Sequence, residues 1–355
     1  MSKYSEIADI LKKEIKEGLY ASTGKLPTEY NLVSRFQVSR QTIRQAISCL
    51  KNNNLVYQVQ GSGTYVATPE NNKVTDKART TTNIVVICTY ISDYIFPSII
   101  RGIEKECSGS GYMISLVATG NRVDKEREIL QKILSRHDVD GIIVEGSKTG
   151  FPNPNISLYR QIMSLGIPIV FLHCTYPELE DAVVVGMDDY EGGKTAAKLL
   201  VAKGCHKIGG IFKSDDKQGL LRYSGFSDEI LEAGLGLDSA IVRWFTTEDL
   251  SDSAIFTDAK RLKEFLEKID GIVCYNDQIA VTIIKLATNS GIALPELISF
   301  DNSPLNTAAV KSFMSLGHRK EYLGEVAAIK IKNMLTGQKE ESVFMAWEGP
   351  CLKNR

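Results

Sequence analysis

The chain has 355 residues, of which 43% are hydrophobic and 24% charged, a composition typical of a globular protein with two or three folded units. It contains no run of about 20 apolar residues that could span a membrane, and its first residues lack the apolar segment of a secretory signal, so we expect a cytoplasmic protein. Seven scattered cysteines without a Cys-x-x-Cys pair and four scattered histidines argue against disulfides and a zinc site. We therefore expect no metal ion and no cofactor.

The net charge of −1 is unevenly divided along the chain. Residues 1–67 carry nine lysines and arginines against five acidic residues, a net charge of +4, which leaves −5 for the rest. This division indicates that only the amino-terminal part meets a polyanion such as nucleic acid. A chance fluctuation of a few charges would give the same division, so the sequence motifs are needed to tell whether this part binds nucleic acid.

The amino-terminal segment predicts three helices. Apolar residues recur at helical spacing in the first: Ile7, Ile10, Leu11, Ile15 and Leu19. Gly18 and Gly24 follow where this helix should end, Thr28 is placed to cap a second helix, and Ser39 to cap a third. The third helix should turn its apolar residues inward, namely Ile43, Ala46, Ile47 and Leu50. Arg40 and Arg44 then face outward on the second of two short helices joined by a tight turn, an arrangement that fits the DNA major groove.

A β-hairpin is predicted directly after the third helix. Residues 55–59 and 64–66 alternate apolar and polar side chains on either side of a turn that contains Gly61 and Gly63. Glycines allow the tip of such a hairpin to approach a phosphate backbone or the minor groove closely. The hairpin would therefore form the wing of a winged helix-turn-helix.

Residues 26–66, LPTEYNLVSRFQVSRQTIRQAISCLKNNNLVYQVQGSGTYV, resemble the winged-helix domain of the GntR family along nearly their whole length. The resemblance implies that Arg40 and Arg44 read guanine edges and that Glu29 touches a base edge. It also implies phosphate or minor-groove contacts for a larger set: Arg35, Ser39, Gln41, Thr42, Gln60, Gly61 and Gly63. The alternative is that the arginines only form a solvated helix face.

The pattern changes after this segment. Residues 68–82 contain no large apolar residue except Val74 and predict a flexible linker between domains 1–67 and 83–355. Beyond it, short β-branched runs alternate with amphipathic segments, which predicts parallel sheets covered by helices on both faces. The predicted strands are 84–87, 113–117, 141–144, 167–171, 183–185, 208–211, 241–245 and 272–275. The predicted helices are 96–107, 125–135, 191–202, 219–231, 258–267 and 278–288.

Carboxylates, amides and aromatic residues follow the carboxyl ends of the predicted strands. Side chains at these ends face the ligand crevice of such sheets, and this set of groups suits a ligand rich in hydroxyl groups. For Asp188, Asp189 and Asp277 the alternative role of helix cap is equally open.

Residues 83–355 resemble the ligand-binding domain of LacI/GalR-type regulators, which is similar to periplasmic sugar-binding proteins. The matching segments are 94–104, 140–144, 192–197, 222–226, 274–280 and 299–302. The fold expected is therefore α/β: a two-lobed periplasmic-binding-protein-like body of parallel sheets with helices on both faces, plus a small amino-terminal winged helix-turn-helix domain.

The same resemblance implies the effector contacts. They fall on Tyr94 and Phe96, by stacking, and on Glu145, Arg222, Asn276 and Asp301. Three further candidates at strand ends are His173, Lys213 and Asp277. Arg222 could instead pair with a structural carboxylate, and His173 and Lys213 could serve packing or solvation. Residues 295–301 are shorter than the family pattern, so we expect a clipped strand before Asp301.

The combination of these two domains, with segments 89–104 and 212–216, resembles the arabinose-type transcriptional repressors. The resemblance implies a homodimer that binds palindromic operator DNA and leaves it when the body binds a sugar, with L-arabinose as the leading effector and another pentose or a small glycoside as alternatives. A sugar-modifying enzyme would need a nucleophile motif, a phosphate loop or a metal set, none of which the sequence contains. A transport-type sugar-binding protein would not need the DNA-binding segment.

Overall fold

The computed structural model describes residues 3–20, 23–52, 55–59, 63–66, 82–91, 94–136, 138–252, 254–305, 309 and 311–351. The chain divides into two compact units, Met1–Thr80 and Thr81–Arg355, which we call the head and the body. Among the helices of the described residues, none is long and apolar enough to cross a membrane. The predicted linker lies outside these residues except for its last position, Thr82, which belongs to a strand and was therefore wrongly assigned.

The head contains the three helices that the sequence predicts. They are α1 (Lys3–Lys16), α2 (Glu29–Phe36) and α3 (Arg40–Asn52). Thr28 caps α2 by accepting a hydrogen bond from the Asn31 N–H, and Ser39 Oγ accepts one from the Thr42 N–H at the start of α3. The predicted inward face of α3 is confirmed, because its four apolar residues are buried against Leu11 and Leu32.

The predicted hairpin is also present, with β1 (Val56–Val59) antiparallel to β2 (Gly63–Val66). Residues before α2 join the other edge of β2, where Lys25 pairs with Tyr65 and the Leu26 N–H donates to the Thr64 carbonyl. Val56 and Val66 turn into the helical core. The hairpin and helices of the head thus share one core.

The first lobe of the body is built on a six-stranded parallel sheet. Its elements are β3 (Thr82–Cys88), α4 (Phe96–Cys107), β4 (Tyr112–Ala118), α5 (Val123–Ser135), β5 (Gly141–Val144), α6 (Ile156–Ser164), β6 (Ile169–Leu172), β7 (Val183–Met187) and, from the end of the chain, β13 (Val343–Met345). The strand order is β13-β7-β6-β5-β3-β4. β5 and β6 are buried along their whole length, as expected for strands covered by helices on both faces.

The second lobe repeats this plan. Its elements are α7 (Asp189–Ala202), β8 (Ile208–Lys213), α8 (Lys217–Glu232), the short 3-10 turn Ser239–Ile241, β9 (Val242–Phe245), α9 (Asp249–Asp252), α10 (Ala254–Thr257), α11 (Ala259–Leu266), β10 (Gly271–Cys274), α12 (Asp277–Asn289), β11 (Glu296–Asp301), β12 (Met314–Gly317) and β14 (Glu348–Cys351). The strand order is β14-β12-β11-β10-β8-β9, and β14 alone of these strands runs antiparallel to its neighbour, β12.

The last helix, α13 (Lys320–Leu335), returns to the first lobe and packs on α4. A Cβ atom at Gly102 would lie 1.9 Å from the Glu321 carbonyl oxygen, and one at Gly324 would lie 2.1 Å from the Ile99 carbonyl oxygen. Both glycines are therefore needed for this close approach. The chain crosses between the lobes after β7, after β12 and between β13 and β14.

Several predictions about the body need correction, among them the strand 167–171, which begins at Ile169. The strand before Asp301 is not clipped, because β11 runs over six residues to Asp301, pairing with β10 as far as Ile298 and with β12 from Ile298 to Asp301. The predicted strand 241–245 begins one residue later, since Ile241 ends the preceding 3-10 turn. The helices α6, α9, α10 and α13 and the strands β12, β13 and β14 were not predicted.

Candidate DNA-binding surface and effector site

Arg40 and Arg44 lie one helical turn apart on the exposed face of α3. The Arg40 Nε donates to Glu29 Oε2 at 2.7 Å, and the Arg44 Nε donates to the same oxygen at 3.1 Å. These hydrogen bonds, that of Arg40 first, hold the pKa of Glu29 below its ordinary value. The ion pairs are largely exposed and therefore weak, so the arginines can exchange Glu29 for a stronger acceptor. Glu29 thus holds both arginines side by side, and the contacts of all three residues with base edges stay a prediction.

Three other predicted DNA contacts lie at the start of α3. Gln41 is exposed, and the Ser39 and Thr42 hydroxyl groups lie 2.8 Å apart. The turn before them includes Gln37 in the left-handed region, with φ 53°. Because Ser39 also caps α3, it has a structural role as well as the predicted phosphate contact.

Arg35 makes a contact within the head that the sequence did not predict. Its guanidinium binds the Glu14 carboxylate with two nitrogens and reaches the Tyr20 hydroxyl at 3.4 Å. The hydrogen bond with Glu14 is the main reason that the pKa of Arg35 is raised. Arg35 thus joins α2 to α1, and its contact with a phosphate stays a prediction.

Of the three predicted wing contacts, Gln60 and Gly61 lie outside the described residues. Gly63 begins β2 with φ 134°, a conformation that favours glycine. A Cβ atom there would lie 2.5 Å from Lys25 Cε. Glycine is therefore favoured at position 63 by its backbone, whereas the flexible end of the Lys25 side chain could move away from a Cβ atom.

A cavity of about 310 Å³ lies between the two lobes of the body, where the carboxyl ends of their strands meet. Seven predicted effector residues line it: Tyr94, Phe96, Glu145, Lys213, Arg222, Asn276 and Asp301. Residues not among the predicted contacts line it as well: Thr89, Tyr90, Ile95, Asp216, Gln218, Phe245, Thr247, Leu250, Tyr275, Gln278 and Ile279. The cavity thus combines charged groups and amides with aromatic and aliphatic surface.

Arg222, on α8, is the most confined charge of the cavity, since only 2% of the residue is exposed. Its Nε donates to Asp189 Oδ1 at 2.9 Å, and its Nη1 donates to the Tyr275 carbonyl at 2.6 Å. Its guanidinium carbon lies 4.4 Å from the ring centre of Phe300 and 4.9 Å from that of Trp347. Arg222 therefore pairs with a structural carboxylate and also lines the cavity, so the two alternatives for this residue are compatible.

Asp189 keeps the charge of Arg222 balanced. Burial raises the pKa of the Asp189 carboxyl to about 6, which still leaves it ionised at neutral pH. Burial alone would lower the pKa of Arg222, but the charges of Asp189 and Asp301 hold it above its ordinary value. A fixed, planar donor with charge thus faces the cavity.

Glu145 follows β5 and presents a partly buried carboxylate. Thr89 donates to its Oε2 from both the backbone N–H, at 2.9 Å, and the hydroxyl group. Burial raises the pKa of Glu145 to about 7 despite these hydrogen bonds. Both Thr89 donors bind Oε2, so Oε1 is the oxygen that these contacts leave available to a ligand hydroxyl group.

Tyr94 bridges the two lobes at the cavity wall. It has φ 68°, its hydroxyl group donates to Asp301 Oδ2, and the Asp277 N–H donates to its hydroxyl oxygen at 3.1 Å. Asp301 also has an unusual backbone, with φ 92°. Strained residues at both ends of one hydrogen bond indicate a site whose geometry is fixed by its surroundings.

The structure does not place Asp277 in the cavity wall. Its carboxylate accepts hydrogen bonds from the Ser303 N–H at 2.7 Å and from the hydroxyl groups of Ser303 and Ser315. Asn276, by contrast, lines the cavity and also caps α12 by accepting from the Ile279 N–H at 3.1 Å. Asp277 therefore has a structural role, because its carboxylate is hydrogen-bonded to Ser303 and Ser315 within the second lobe.

His173 is also absent from the main cavity. It is buried, with φ 64°, and lines an adjoining polar cavity of about 30 Å³ that shares Glu145, Lys213 and Asp216 with the larger one. Burial lowers the pKa of His173 to about 4, so the ring is neutral at physiological pH. Phe96 packs edge-on against it, with 6.2 Å between the ring centres.

Sequence reasoning missed Asp189 and Trp347 as partners of Arg222. Asp189 stood in an Asp-Asp pair that also reads as a helix cap, and Asp188 is indeed the cap of α7. Trp347 comes from the last segment of the chain, where no periodic pattern marks a position beside α8. Within the described residues, no group of three histidine, cysteine or acidic side chains is placed to hold a metal ion.

Two family models match the chain. Residues 3–66 match the bacterial regulatory proteins of the gntR family, and residues 84–339 match the periplasmic binding protein domain. The first match covers the described part of the head, and the second covers most of the body.

Two relatives match nearly the whole chain. An arabinose metabolism transcriptional repressor of Halalkalibacterium halodurans is 36% identical over 96% of this chain and 91% of its own length. One from Geobacillus stearothermophilus is 31% identical over 94% of this chain and 92% of its own. The crystal structure of the transcription regulator CcpA of Lactococcus lactis, at 24% identity, covers 75% of this chain and 95% of its own with a TM-score of 0.64, a likeness of fold.

Proposed function

Because this chain belongs to the family of arabinose-type transcriptional repressors, we propose that it binds operator DNA through its head and leaves it when its body binds L-arabinose or a related pentose. The relatives named above are repressors of arabinose metabolism, which supports a sugar as the effector. The direction of the response, release rather than recruitment, is part of the proposal.

The observation that carries the proposal is the chemistry of the cavity between the lobes. Glu145 and Asp301 offer carboxylate acceptors, Arg222 and Lys213 offer charged donors, and Asn276 offers an amide. Tyr90, Tyr94, Phe96 and Tyr275 supply aromatic surface. Polar groups that alternate donor and acceptor roles beside aromatic faces suit a small sugar, whose hydroxyl groups need hydrogen bonds and whose ring has an apolar face.

The head supplies the operator contacts in this proposal. Arg40 and Arg44 would read bases in the major groove, while Gln41 and Thr42 would fix the register on the phosphates. A homodimer would present two heads to a palindromic operator, as two-fold symmetric binding requires.

The experiment is calorimetry with a panel of pentoses, followed by an operator shift assay with the tightest binder. L-arabinose, D-xylose and D-ribose differ in the orientation of their hydroxyl groups and so test the fit of the cavity. We expect L-arabinose to bind most tightly and to lower the affinity for operator DNA. Operator binding that no pentose changes would contradict the proposal, and turnover of any sugar would indicate an enzyme instead.

A further inference from the structure

The two lobes of the body contact each other directly beside the main cavity, the one of about 310 Å³ between the lobes. From the first lobe, Asn121 and Lys148 reach across, and from the second lobe they meet Asp215 and Glu248. Lys148 Nζ lies 3.3 Å from Asp215 Oδ2 and 2.7 Å from Glu248 Oε1. None of these four residues lines the main cavity. These contacts therefore join the lobes directly and do not need a ligand in the main cavity.

Asp215 is the centre of these contacts and is fully buried. Its Oδ2 accepts a hydrogen bond from the Thr247 N–H at 3.0 Å, and Asn121 Nδ2 lies 3.5 Å away. Its Oδ1 lies 3.5 Å from Nζ of Lys213, which does line the main cavity. Burial alone would raise the pKa of Asp215, but Lys213, Thr247 and Lys148 together hold it below its ordinary value. A buried carboxylate that stays charged depends on all its partners, including the one from the other lobe.

The backbone closes the same junction. The Gly150 N–H donates to the Asp215 carbonyl at 3.3 Å, and the Lys217 N–H donates to Thr149 Oγ1 at 3.1 Å. A Cβ atom at Gly150 would lie 2.4 Å from the Ser214 carbonyl oxygen and 2.8 Å from the Asp216 nitrogen. Both of these are backbone atoms of the other lobe. The lobes can therefore approach to this distance only because residue 150 has no side chain.

The first-lobe side of the junction is held in a defined shape. Asn121 has φ 56° and Lys148 has φ 51°, both in the left-handed region. Asn121 Oδ1 accepts a hydrogen bond from the Lys148 N–H at 2.8 Å, and Asn121 Nδ2 donates to Thr247 Oγ1 at 2.5 Å. Left-handed backbone conformations are uncommon for residues other than glycine, and they persist only where surrounding contacts stabilise them. The hydrogen bond between Asn121 and Lys148 is one of these contacts.

We propose that Asp215 is a positioning residue of the sugar response, which together with Lys148, Asn121 and Gly150 forms a latch between the lobes and sets how much sugar the repressor needs. The latch stabilises the closed arrangement of the lobes before sugar arrives. Asp215 also holds the side chain of Lys213, which lines the main cavity, so the latch and the cavity share this residue.

The physical consequence follows from a two-state equilibrium of the lobes. A sugar that binds the closed state has an apparent affinity reduced by the fraction of molecules that are open. Weakening the latch lowers the closed fraction, so more sugar is needed for the same response, while the response at saturating sugar is retained. This inference rests on the proposed function, since it concerns how the same cavity responds.

The first variant is Lys148→Met, which removes the charge that crosses the lobes and keeps the length of the side chain. We expect the L-arabinose concentration for half-maximal release of operator DNA to rise about fivefold or more, with the same maximal release. Lys148→Arg should restore most of the sensitivity. Lys203→Met is the matched control, because Lys203 also pairs with a glutamate, Glu296 at 2.8 Å, but within the second lobe. An unchanged midpoint in Lys148→Met would overturn the latch.

The second variant is Gly150→Ala, which acts by steric hindrance rather than by a change of charge. The φ of Gly150 is outside the left-handed region, so alanine suits the backbone of the open state but prevents full closure. We expect weaker L-arabinose binding and no loss of affinity for operator DNA without sugar, because blocking closure favours the open state that binds DNA in the proposed function. Wild-type sugar affinity in Gly150→Ala would contradict the proposed junction.

Hydrogen exchange of the sugar-free chain separates failure of the latch from failure of the proposed function. Lys148→Met should speed exchange of the Gly150 and Lys217 amides, which donate hydrogen bonds across the lobes, whether or not L-arabinose is the effector. If L-arabinose has no effect on the wild-type chain but exchange rises in the variant, the proposed effector is wrong and the latch stands. If exchange is the same in the wild-type chain and in Lys148→Met, the latch is wrong.

Discussion

Glu145 places a carboxylate with a pKa of about 7 in the wall of the effector cavity. Its pKa is raised mainly by burial, so a ligand that donates a hydroxyl hydrogen to the charged form competes with protonation. Binding therefore favours the ionised form and should release a proton below pH 7. The cavity carries a dependence on pH that an ordinary glutamate would not give.

We expect L-arabinose to bind about tenfold more weakly near pH 6 than near pH 8, because protonation removes the acceptor. Glu145→Gln should bind more weakly at both values and show little of this difference. Calorimetry in two buffers of different ionisation enthalpy measures both the affinity and the proton release. Equal wild-type affinity at the two pH values would refute the role assigned to Glu145.

Arg44 is predicted to choose the base sequence. Arg44→Ala should lose about 1–3 kcal/mol of discrimination between operator and unrelated DNA, because an arginine that contacts a guanine edge supplies two hydrogen bonds. Arg101→Ala, in the body and paired with Glu321, removes an arginine from an exposed site and serves as control. Fluorescence anisotropy with matched and mismatched duplexes gives the measurement. A uniform loss on all duplexes would instead assign Arg44 to the phosphates.

At the scale of elements, α7 and α8 approach through glycines. A Cβ atom at Gly225 would lie 1.9 Å from the Tyr190 carbonyl, and one at Gly193 would lie 2.0 Å from the Arg222 carbonyl. Asp189 and Arg222, which pair across these helices, depend on this distance. The spacing of two helix backbones thus sets the position of a cavity residue.

Gly225→Ala should destabilise the body by about 1–3 kcal/mol through overpacking and weaken sugar binding by displacing Arg222. Gly236→Ala is the matched control, because a Cβ atom there meets nothing within 4 Å. Thermal unfolding and calorimetry with L-arabinose check the two effects. Equal stability of the two variants would show that the helices can separate without cost.

Elements with a strong local pattern were predictable, and those fixed by distant contacts were not. The bounds of α4 and β5 match their patterns, because the apolar period of α4 and the β-branched run of β5 are complete within each segment. β11 was expected to be clipped, but its register depends on β10 and β12 rather than on its own length. Trp347 and Asp189 could not be placed beside Arg222, because more than 30 residues separate each of them from it along the chain.

Across the whole molecule, the sequence separates a basic head from an acidic body, and each unit holds one kind of candidate site. The residues around Arg40 and Arg44 are local in sequence, so the helices that carry them were predicted, but the pairing of both arginines with Glu29 was not. The cavity is assembled from several strand ends, and two predicted members, Asp277 and His173, lie outside it. Strand-end positions predict the neighbourhood of a cavity but not which side chains turn toward it.

Because the two candidate sites lie in different units, we expect a variant of the body to lose sugar binding and keep operator binding. Arg222→Lys keeps a positive charge opposite Asp189 but loses the planar fork, so we expect sugar binding to weaken about tenfold or more. Operator binding without sugar should be unchanged, since the predicted DNA contacts lie in the head. Arg222→Ala is less suitable, because it leaves the buried Asp189 carboxylate without its partner. Loss of operator binding by folded Arg222→Lys would contradict the separation.

Sugar bound in the body is proposed to lower the affinity of the head for DNA, and a single titration measures this effect. Operator DNA is titrated with the full chain alone, with L-arabinose and with its mirror image D-arabinose, which has the same composition but places its hydroxyl groups in the opposite hand. We expect L-arabinose to raise the dissociation constant for operator DNA and D-arabinose to leave it unchanged. An affinity that L-arabinose leaves unchanged or increases would contradict it.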